Sequence, residues 1–329
     1  MIPQFVICHY AEIGLKGKNR RFFEERLIEN IKKALPRGVC QRVRRISGRI
    51  LVELSRRGKR KNFDSEKIKE ALKNVFGIAY FGLSVSCKQK SEAIKKKAVE
   101  ILKDKAFETF KIETQRSKKD FPLSSQEINE KVGEYILKKS KIQNPKSKIK
   151  VDLKNPELTC FIEIVEKYAF LYLEKIKGPG GLPVGVSGRA ISLLSGGIDS
   201  AVASFYGMRR GIKIVFLYFY THSSSIEKIK KIVEVLNKYQ FESKLYLVPF
   251  LDIQKEIFQK TNPQFCCLLC RRFMFRIAEI LAKKEKAKAL ISGENIGQVA
   301  SQTLRNIGVT QEAINLPILR PLIGEDKQD

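Results

Sequence analysis

The sequence predicts a mixed α/β chain of 329 residues. It should hold a small ferredoxin-like α+β unit, a second α+β unit, and an open, doubly wound parallel sheet. Three observations predict this. Helix and strand periodicities alternate from end to end, with no repeat and no low-complexity tract. The stretch Lys177-Gly178-Pro179-Gly180-Gly181-Leu182-Pro183-Val184-Gly185 breaks regular structure and separates two styles of patterning. Beyond it, a continuous apolar strand opens a βα alternation, the mark of a parallel sheet buried on both faces.

The elements follow in order. Phe5 to Tyr10 reads as a strand. Asn19 to Leu35 reads as a helix, because Phe23, Leu27, Ile31 and Leu35 recur every four residues on one face, and Pro36 and Gly38 stop it. In Arg49 to Leu54, Ile50, Val52 and Leu54 alternate as in a half-buried strand. The basic run Arg56 to Lys61 reads as a solvated hairpin or loop, and Ser65 to Phe76 as a helix ended by Gly77. A second unit follows: strand Phe81 to Cys87, basic helix Ser91 to Lys105 and strand Thr109 to Gln115. Next come helix Ser124 to Lys138, with Ser124 and Glu127 as a capping box, and strands Lys148 to Leu153, Leu158 to Ile164 and Tyr168 to Lys175. The last unit reads as strand Ile191 to Leu194, helix Ser200 to Arg210, strand Lys213 to Phe219 and helix Ile226 to Tyr239. Strand Lys244 to Val248, helix Leu268 to Lys286 and strand Ala287 to Ile291 complete it.

Charge gives the first functional indication. Lys and Arg number 63 against 35 Asp and Glu, a net charge of +28. So basic a chain attracts polyanions. No apolar run approaches the roughly 20 residues of a membrane span, no basic amphipathic helix with an aromatic apolar face stands out, and the N-terminus lacks signal-peptide features. The expected location is the cytoplasm, away from the membrane. Seven cysteines without a secretion signal argue against a disulfide framework. Cys8, Cys40, Cys87 and Cys160 are scattered in apolar surroundings and read as small core residues; Cys266, Cys267 and Cys270 cluster.

The sharpest motif is Ser195-Gly196-Gly197-Ile198-Asp199-Ser200, after a buried strand and opening a helix. Free N–H groups and the macrodipole at a helix start attract phosphate. Two glycines let the backbone approach it, and Ser195 and Ser200 add hydroxyl donors. The segment has no lysine, so it is not a Walker loop, and with only His9 and His222 in the chain a histidine-based nucleophile relay is disfavoured. An ordinary βα turn capped by Asp199 or Ser200 is the plain alternative.

Ser-Gly-Gly-x-Asp-Ser resembles the PP-loop of N-type ATP pyrophosphatases, which adenylate an acceptor oxygen and release pyrophosphate. Further stretches resemble the tRNA 4-thiouridine synthase (ThiI) family, in order along nearly the whole chain. They are Glu12 to Arg20, Gly178 to Gly185, Gly293 to Leu304 and Pro317 to Gly324. The resemblance implies an N-terminal ferredoxin-like domain at 1–77, a THUMP RNA-binding domain at 78–176 and a PP-loop ATP pyrophosphatase domain at 177–329. It implies that Leu193, Leu194, Ser195, Gly196, Gly197, Ser200, Tyr218, Phe219, Arg271, Gly293 and Gln302 bind ATP. Tyr218 stands where members often carry His. Asp199 would support adenylation through Mg²⁺ and pyrophosphate, and Lys327 matches a lysine tied to activity. The implied reaction is adenylation of tRNA uridine, at position 8, and replacement of O4 by sulfur. A cysteine desulfurase persulfide or sulfide would donate the sulfur. A homodimer and a role in thiamine thiazole synthesis stay open.

Cys267-Leu268-Leu269-Cys270, with Cys266 before it and Arg271-Arg272 after, starts a helix. A helix N-terminus beside guanidinium groups favours thiolate, which carries sulfur or binds soft metals. Some members of the family hold an iron–sulfur cluster here with one further cysteine downstream; others use a separate rhodanese-like domain. Neither feature precedes the end at Asp329, which admits a truncated chain. Cys267 and Cys270 therefore read as a sulfur-carrier or iron–sulfur site, a redox pair, or packing. Two other functions compete: a non-catalytic tRNA-binding protein, and another PP-loop enzyme such as a different tRNA thiolase.

Overall fold

The computed structural model describes residues 2–55, 64–117, 121–143, 149–299 and 302–325. The basic run Arg56 to Lys61 and Lys327 lie outside the described residues. Two compact units form: Met1–Arg20, Ile31–Lys73 and Ile78–Gly180 make the first, and Arg21–Asn30, Asn74–Gly77 and Gly181–Asp329 the second. No described helix is long and apolar enough to cross a membrane.

In the first unit, β1 (Phe5–His9), β2 (Cys40–Ile46), β3 (Arg49–Leu54) and β4 (Tyr80–Lys88) run β2-β3-β1-β4, antiparallel throughout. With α1 (Arg20–Ala34) and α2 (Ser65–Lys73) between them in sequence, this is the βαββαβ order of a ferredoxin-like fold. Strand β2 has no counterpart in the sequence reading. Only Val43 and Ile46 of its residues are fully buried while Gln41, Arg42 and Arg45 face solvent, as suits an edge strand.

The sheet continues past residue 78. Residues Tyr80 to Ser84 of β4 pair with β1, and Val85 to Lys88 pair with β8 (Tyr168–Tyr172), so one strand serves both halves of a continuous sheet. Around β8 the unit adds α3 (Ser91–Leu102), β5 (Thr109–Arg116), α4 (Ser125–Gln143), β6 (Lys150–Val151), β7 (Leu158–Val165) and β9 (Ile176–Lys177). Of the expected strand Lys148 to Leu153, Lys148 lies outside the described residues, and Lys150–Val151 form β6. Helices α3 and α4 bury Ile94, Ile101, Ile128 and Val132 against Phe110, Cys160 and Ile162. The capping box forms as read: the Glu127 carboxylate accepts from the Ser124 N–H at 2.7 Å, and Ser124 Oγ from the Glu127 N–H at 3.2 Å. A buried carboxylate, Glu163 on β7, ties the two halves of the sheet. It takes His9 Nε2 of β1 at 2.8 Å, the Tyr172 hydroxyl of β8 at 2.7 Å, and the guanidinium of Arg49 of β3.

The second unit is the parallel sheet. β10 (Arg189–Leu194), β11 (Lys213–Tyr220), β12 (Leu245–Pro249), β13 (Ala289–Ile291) and β14 (Ile318–Leu319) run β12-β11-β10-β13-β14, with every pairing parallel. On one face Leu194, Phe216, Tyr218 and Ile291 meet Ala203 of α5 (Ile198–Arg209) and Ile229 and Leu236 of α6 (Ile226–Gln240). On the other, Ile191, Val215, Leu217 and Leu290 meet Phe275, Ala278 and Ala282 of α8 (Cys266–Glu285). Burial on both faces is why β10 and β11 read as unbroken apolar runs. Helices α7 (Leu251–Lys260) and α9 (Leu304–Gln311) and strand β14 were not legible in the sequence; each is short or weakly apolar.

A candidate nucleotide site

The chain leaves β10, passes through α5 to β11 on one side, and returns through α8 to β13 on the other. The strand order therefore reverses at β10, and a crevice opens outside the carboxyl ends of β10 and β13. The motif Ser195 to Ser200 lies there. Gly196 holds φ at +78°, a left-handed turn natural to glycine. Gly197 is the N-cap of α5, and no side chain caps the helix. Ser200 does not cap it either: its Oγ accepts from the Ser195 N–H at 3.1 Å and donates to the Gly197 carbonyl at 3.1 Å, folding the loop over the helix start. Behind it, Ser204 Oγ donates to the Ser200 carbonyl at 2.8 Å and meets Ser192 Oγ of β10 at 2.7 Å.

The cavity there has a volume of 390 Å³. Leu193, Leu194, Ser195, Asp199, Ser200, Tyr218, Phe219, Arg271, Gly293 and Gln302 all line it. These residues span more than a hundred positions of sequence, and the end of the parallel sheet collects them. Gly196 and Gly197 form the turn between lining residues. Gly293 is explained by space. A Cβ there would stand 2.7 Å from the Asp199 carbonyl carbon and the Ser200 nitrogen, so the segment after β13 can approach the first turn of α5 only without a side chain. Gln302 is 7% exposed, and its Oε1 has no hydrogen-bond partner among the described residues. A buried acceptor at a cavity wall suits a ligand donor.

The sequence reading missed Ser292, Glu294, Met274 and Phe275, which also line the cavity. Glu294 is the most consequential. It is buried, accepts Arg271 Nη1 on Oε1 at 2.6 Å, and accepts Arg320 Nε on Oε2 at 2.7 Å. Arg271 is thus aimed by an acid rather than free in solvent. A partly buried arginine demands such a counter-charge, and Glu294 stands in the same run as Gly293, which is the signal that could have found it.

The cysteines depart from expectation. Helix α8 starts at Cys266 rather than Leu268, so Cys266 and Cys270 pack with Phe250 and Ile257 in an apolar cluster while Cys267 stays exposed. Burial, then the neighbouring Cys267 and Cys266, pushes the Cys270 thiol above its ordinary value, the opposite of an activated thiolate. Neither Cys267 nor Cys270 lines the cavity. Among the described residues no three His, Cys, Asp or Glu side chains gather as a metal-ligand set. Cys8 and Cys160 are core residues as read, and Cys40 and Cys87 are half-buried.

Known proteins resemble the chain along nearly its whole length. Residues 185–329 match the family model "Thiamine biosynthesis protein (ThiI)", 5–82 the "ThiI ferredoxin-like domain" and 88–174 the "THUMP domain". A "Probable tRNA sulfurtransferase" of Moorella thermoacetica is 41% identical over 328 residues, covering 98% of this chain and 81% of that protein. Another so described, of Thermoanaerobacter sp., is 42% identical over 332 residues, covering 100% and 84%. Among solved structures, a 4-thiouridine synthetase–RNA complex with bound ATP matches with a TM-score of 0.85 at 34% identity, covering 99% of this chain and 82% of that one.

Proposed function

Because the chain belongs to the ThiI family of tRNA sulfurtransferases, we propose that it adenylates a tRNA uridine, at position 8, with ATP and replaces O4 by sulfur to give 4-thiouridine. One observation carries this reading. A phosphate-type loop, an uncapped helix start and a glycine-only contact meet at the reversal point of a parallel sheet, around a cavity of 390 Å³. The roles proposed are these. The loop Ser195 to Ser200 cradles phosphates with backbone N–H groups and hydroxyls. Leu193, Leu194, Tyr218 and Phe219 flank the base, Gln302 accepts from a nucleotide donor, and Arg271, aimed by Glu294, meets the phosphate charge. Asp199 would hold Mg²⁺, which supplies charge neutralisation on the departing pyrophosphate.

Uridine O4 attacks the α-phosphorus and pyrophosphate leaves. A sulfur nucleophile then attacks C4, the C4–O4 bond breaks and AMP departs. Oxygen is thereby turned from a poor into a good leaving group. The sulfur arrives as sulfide, which gives 4-thiouridine directly, or as the persulfide of a cysteine desulfurase, in which case a second thiol attacks the inner sulfur of the resulting disulfide, breaks the S–S bond and releases 4-thiouridine with a new disulfide as the by-product. If the chain itself carries sulfur, Cys267 is the thiol for it: it is exposed and lies four residues before Arg271 on α8, on the same helix face, whereas Cys270 is buried. RNA is held by the ferredoxin-like and THUMP domains (1–77 and 78–176) and ATP by 177–329, in the cytoplasm.

The test pairs ATP–pyrophosphate exchange in the presence of tRNA with mass spectrometry of nucleosides from a deletion strain complemented by each variant. Asp199→Ala is expected to lose exchange and 4-thiouridine by about 100-fold or more, the scale of removing one transition-state charge stabiliser, while keeping the parent's unfolding transition. Parent-like exchange in this variant, or 4-thiouridine unchanged in the deletion strain, would overturn the reading.

A further inference from the structure

The first unit carries a cleft that nucleotide chemistry leaves unused. It has a volume of 300 Å³ and lies between the end of α1 and the bulged start of β2. Lys32, Arg37 and Arg42 line it, and no carboxylate does. All three are exposed, and none forms an ion pair with another described residue. The acid opposite Arg42 across the sheet, Glu53, gives its Oε1 to Arg44 at 3.0 Å instead. Cys40 marks where the charge sits: burial raises its thiol, and the Lys32 ammonium pulls it the other way, so Lys32 stands over the cleft. Strand β2 is the edge of its sheet, so no described strand covers this side.

Lys32, in the last turn of α1, offsets the partial negative charge at that helix end. Arg37 and Arg42 have no such internal role. Three cations on a concave edge, with no acid among them, complement a chain of closely spaced anions. We infer that this cleft seats phosphodiester groups of the RNA backbone. It would fix where the RNA lies without reading its sequence. The inference rests on the RNA-binding part of the proposed function and specifies where on the first unit the backbone docks.

The experiment measures tRNA affinity against salt for the full chain and for Lys32→Ala/Arg37→Ala/Arg42→Ala, with Mg-ATP affinity alongside as a control of folding. Each phosphate neutralised contributes roughly 0.9 to the slope of log K against log salt. The triple variant should lose about 2 to 3 from that slope and bind tRNA at least tenfold more weakly at low salt, with ATP affinity unchanged. Lys32→Arg/Arg37→Lys/Arg42→Lys, which keeps the charge, should keep the slope. If the triple variant does not fold, each single alanine variant should lower the slope by about 0.9. Parent-like affinity and slope in the alanine variants overturn the inference alone. Weaker binding with an unchanged slope also overturns it, since the truncated side chains would then not have been meeting phosphates. A parent that does not bind tRNA overturns the RNA-binding reading as well.

Discussion

Gly293→Ala tests the site at its tightest point. The φ angle of Gly293 is not positive, so alanine meets no backbone penalty there; the obstacle is space. Its Cβ would stand 2.7 Å from the Asp199 carbonyl carbon and the Ser200 nitrogen and 2.9 Å from the Asp199 oxygen, about 0.7 Å short of ordinary contact. All three atoms are backbone at the first turn of α5, so no rotamer relieves the clash; either the segment after β13 or the start of α5 must move. Overpacking of this kind costs about 1–3 kcal/mol, which lowers the transition of a unit this size by about 2–4 °C per kcal/mol. The displacement falls where Ser195 and Ser200 fold the phosphate loop, so Mg-ATP affinity should drop by tenfold or more, about 1.4 kcal/mol. Calorimetric titration with Mg-ATP and thermal unfolding read the two effects. Gly308→Ala is the control: the residue lies in α9 with open space around its Cβ position, and alanine there should leave ATP binding alone and stabilise by about 0.5–1 kcal/mol. Gly293→Ala with the parent's ATP affinity would refute the argument that this close approach builds the site.

Glu294→Gln leaves Arg271 and Arg320 facing an amide. The loss should fall toward the lower end of the roughly 3–5 kcal/mol cost of breaking a buried pair, because the Arg271 side chain stays 25% exposed. Thermal unfolding and ATP titration should both register it, and a parent-like ATP Kd would mean that Glu294 does not aim Arg271. In the first unit, burial pushes the Glu163 carboxyl up, and His9, Arg49 and Tyr172 more than offset it, leaving it below the usual range. A depressed folded-state pKa means stability fully present above the unfolded glutamate value, about 4.3, and lost as pH falls through the folded value. Urea midpoints between pH 6 and 3 should decline for the parent and decline less for Glu163→Gln; equal slopes would exclude this carboxylate as the source.

What the sequence disclosed follows from how each residue is constrained. The apolar runs of β10 and β11 were legible because both faces are buried, and the capping box at Ser124 because two side chains and two backbone groups satisfy each other locally. Strand β2 was not, because an edge strand with one buried face and cationic outward positions has too little apolar periodicity. Helix α9 and the two-residue strand β14 are set by tertiary packing rather than by pattern. The site divides the same way. The loop Ser195 to Ser200 announces itself, since its glycines and hydroxyls lie together. Glu294 did not, because its importance lies in two guanidinium groups that approach from α8 and from the end of β14.

The cysteines give the converse lesson. Their spacing at a helix start suggested activated thiols, yet at 100° per residue a C-x-x-C on a helix leaves its two cysteines about 60° apart around the axis, against about 40° for residues four apart, enough to put one thiol in the core and the other at its edge. Beginning α8 at Cys266 turns Cys266 and Cys270, four apart, into the apolar cluster with Phe250 and Ile257, and turns Cys267 out. The same four-residue period puts Cys267 in line with Arg271 at the cavity wall. Two residues of helix boundary therefore decide which thiols are buried and which is exposed on the helix face of Arg271. The pairs Cys266/Cys270 and Cys267/Arg271 form two stripes of one helix, one packed in the core and one joining an exposed thiol to an arginine of the cavity wall.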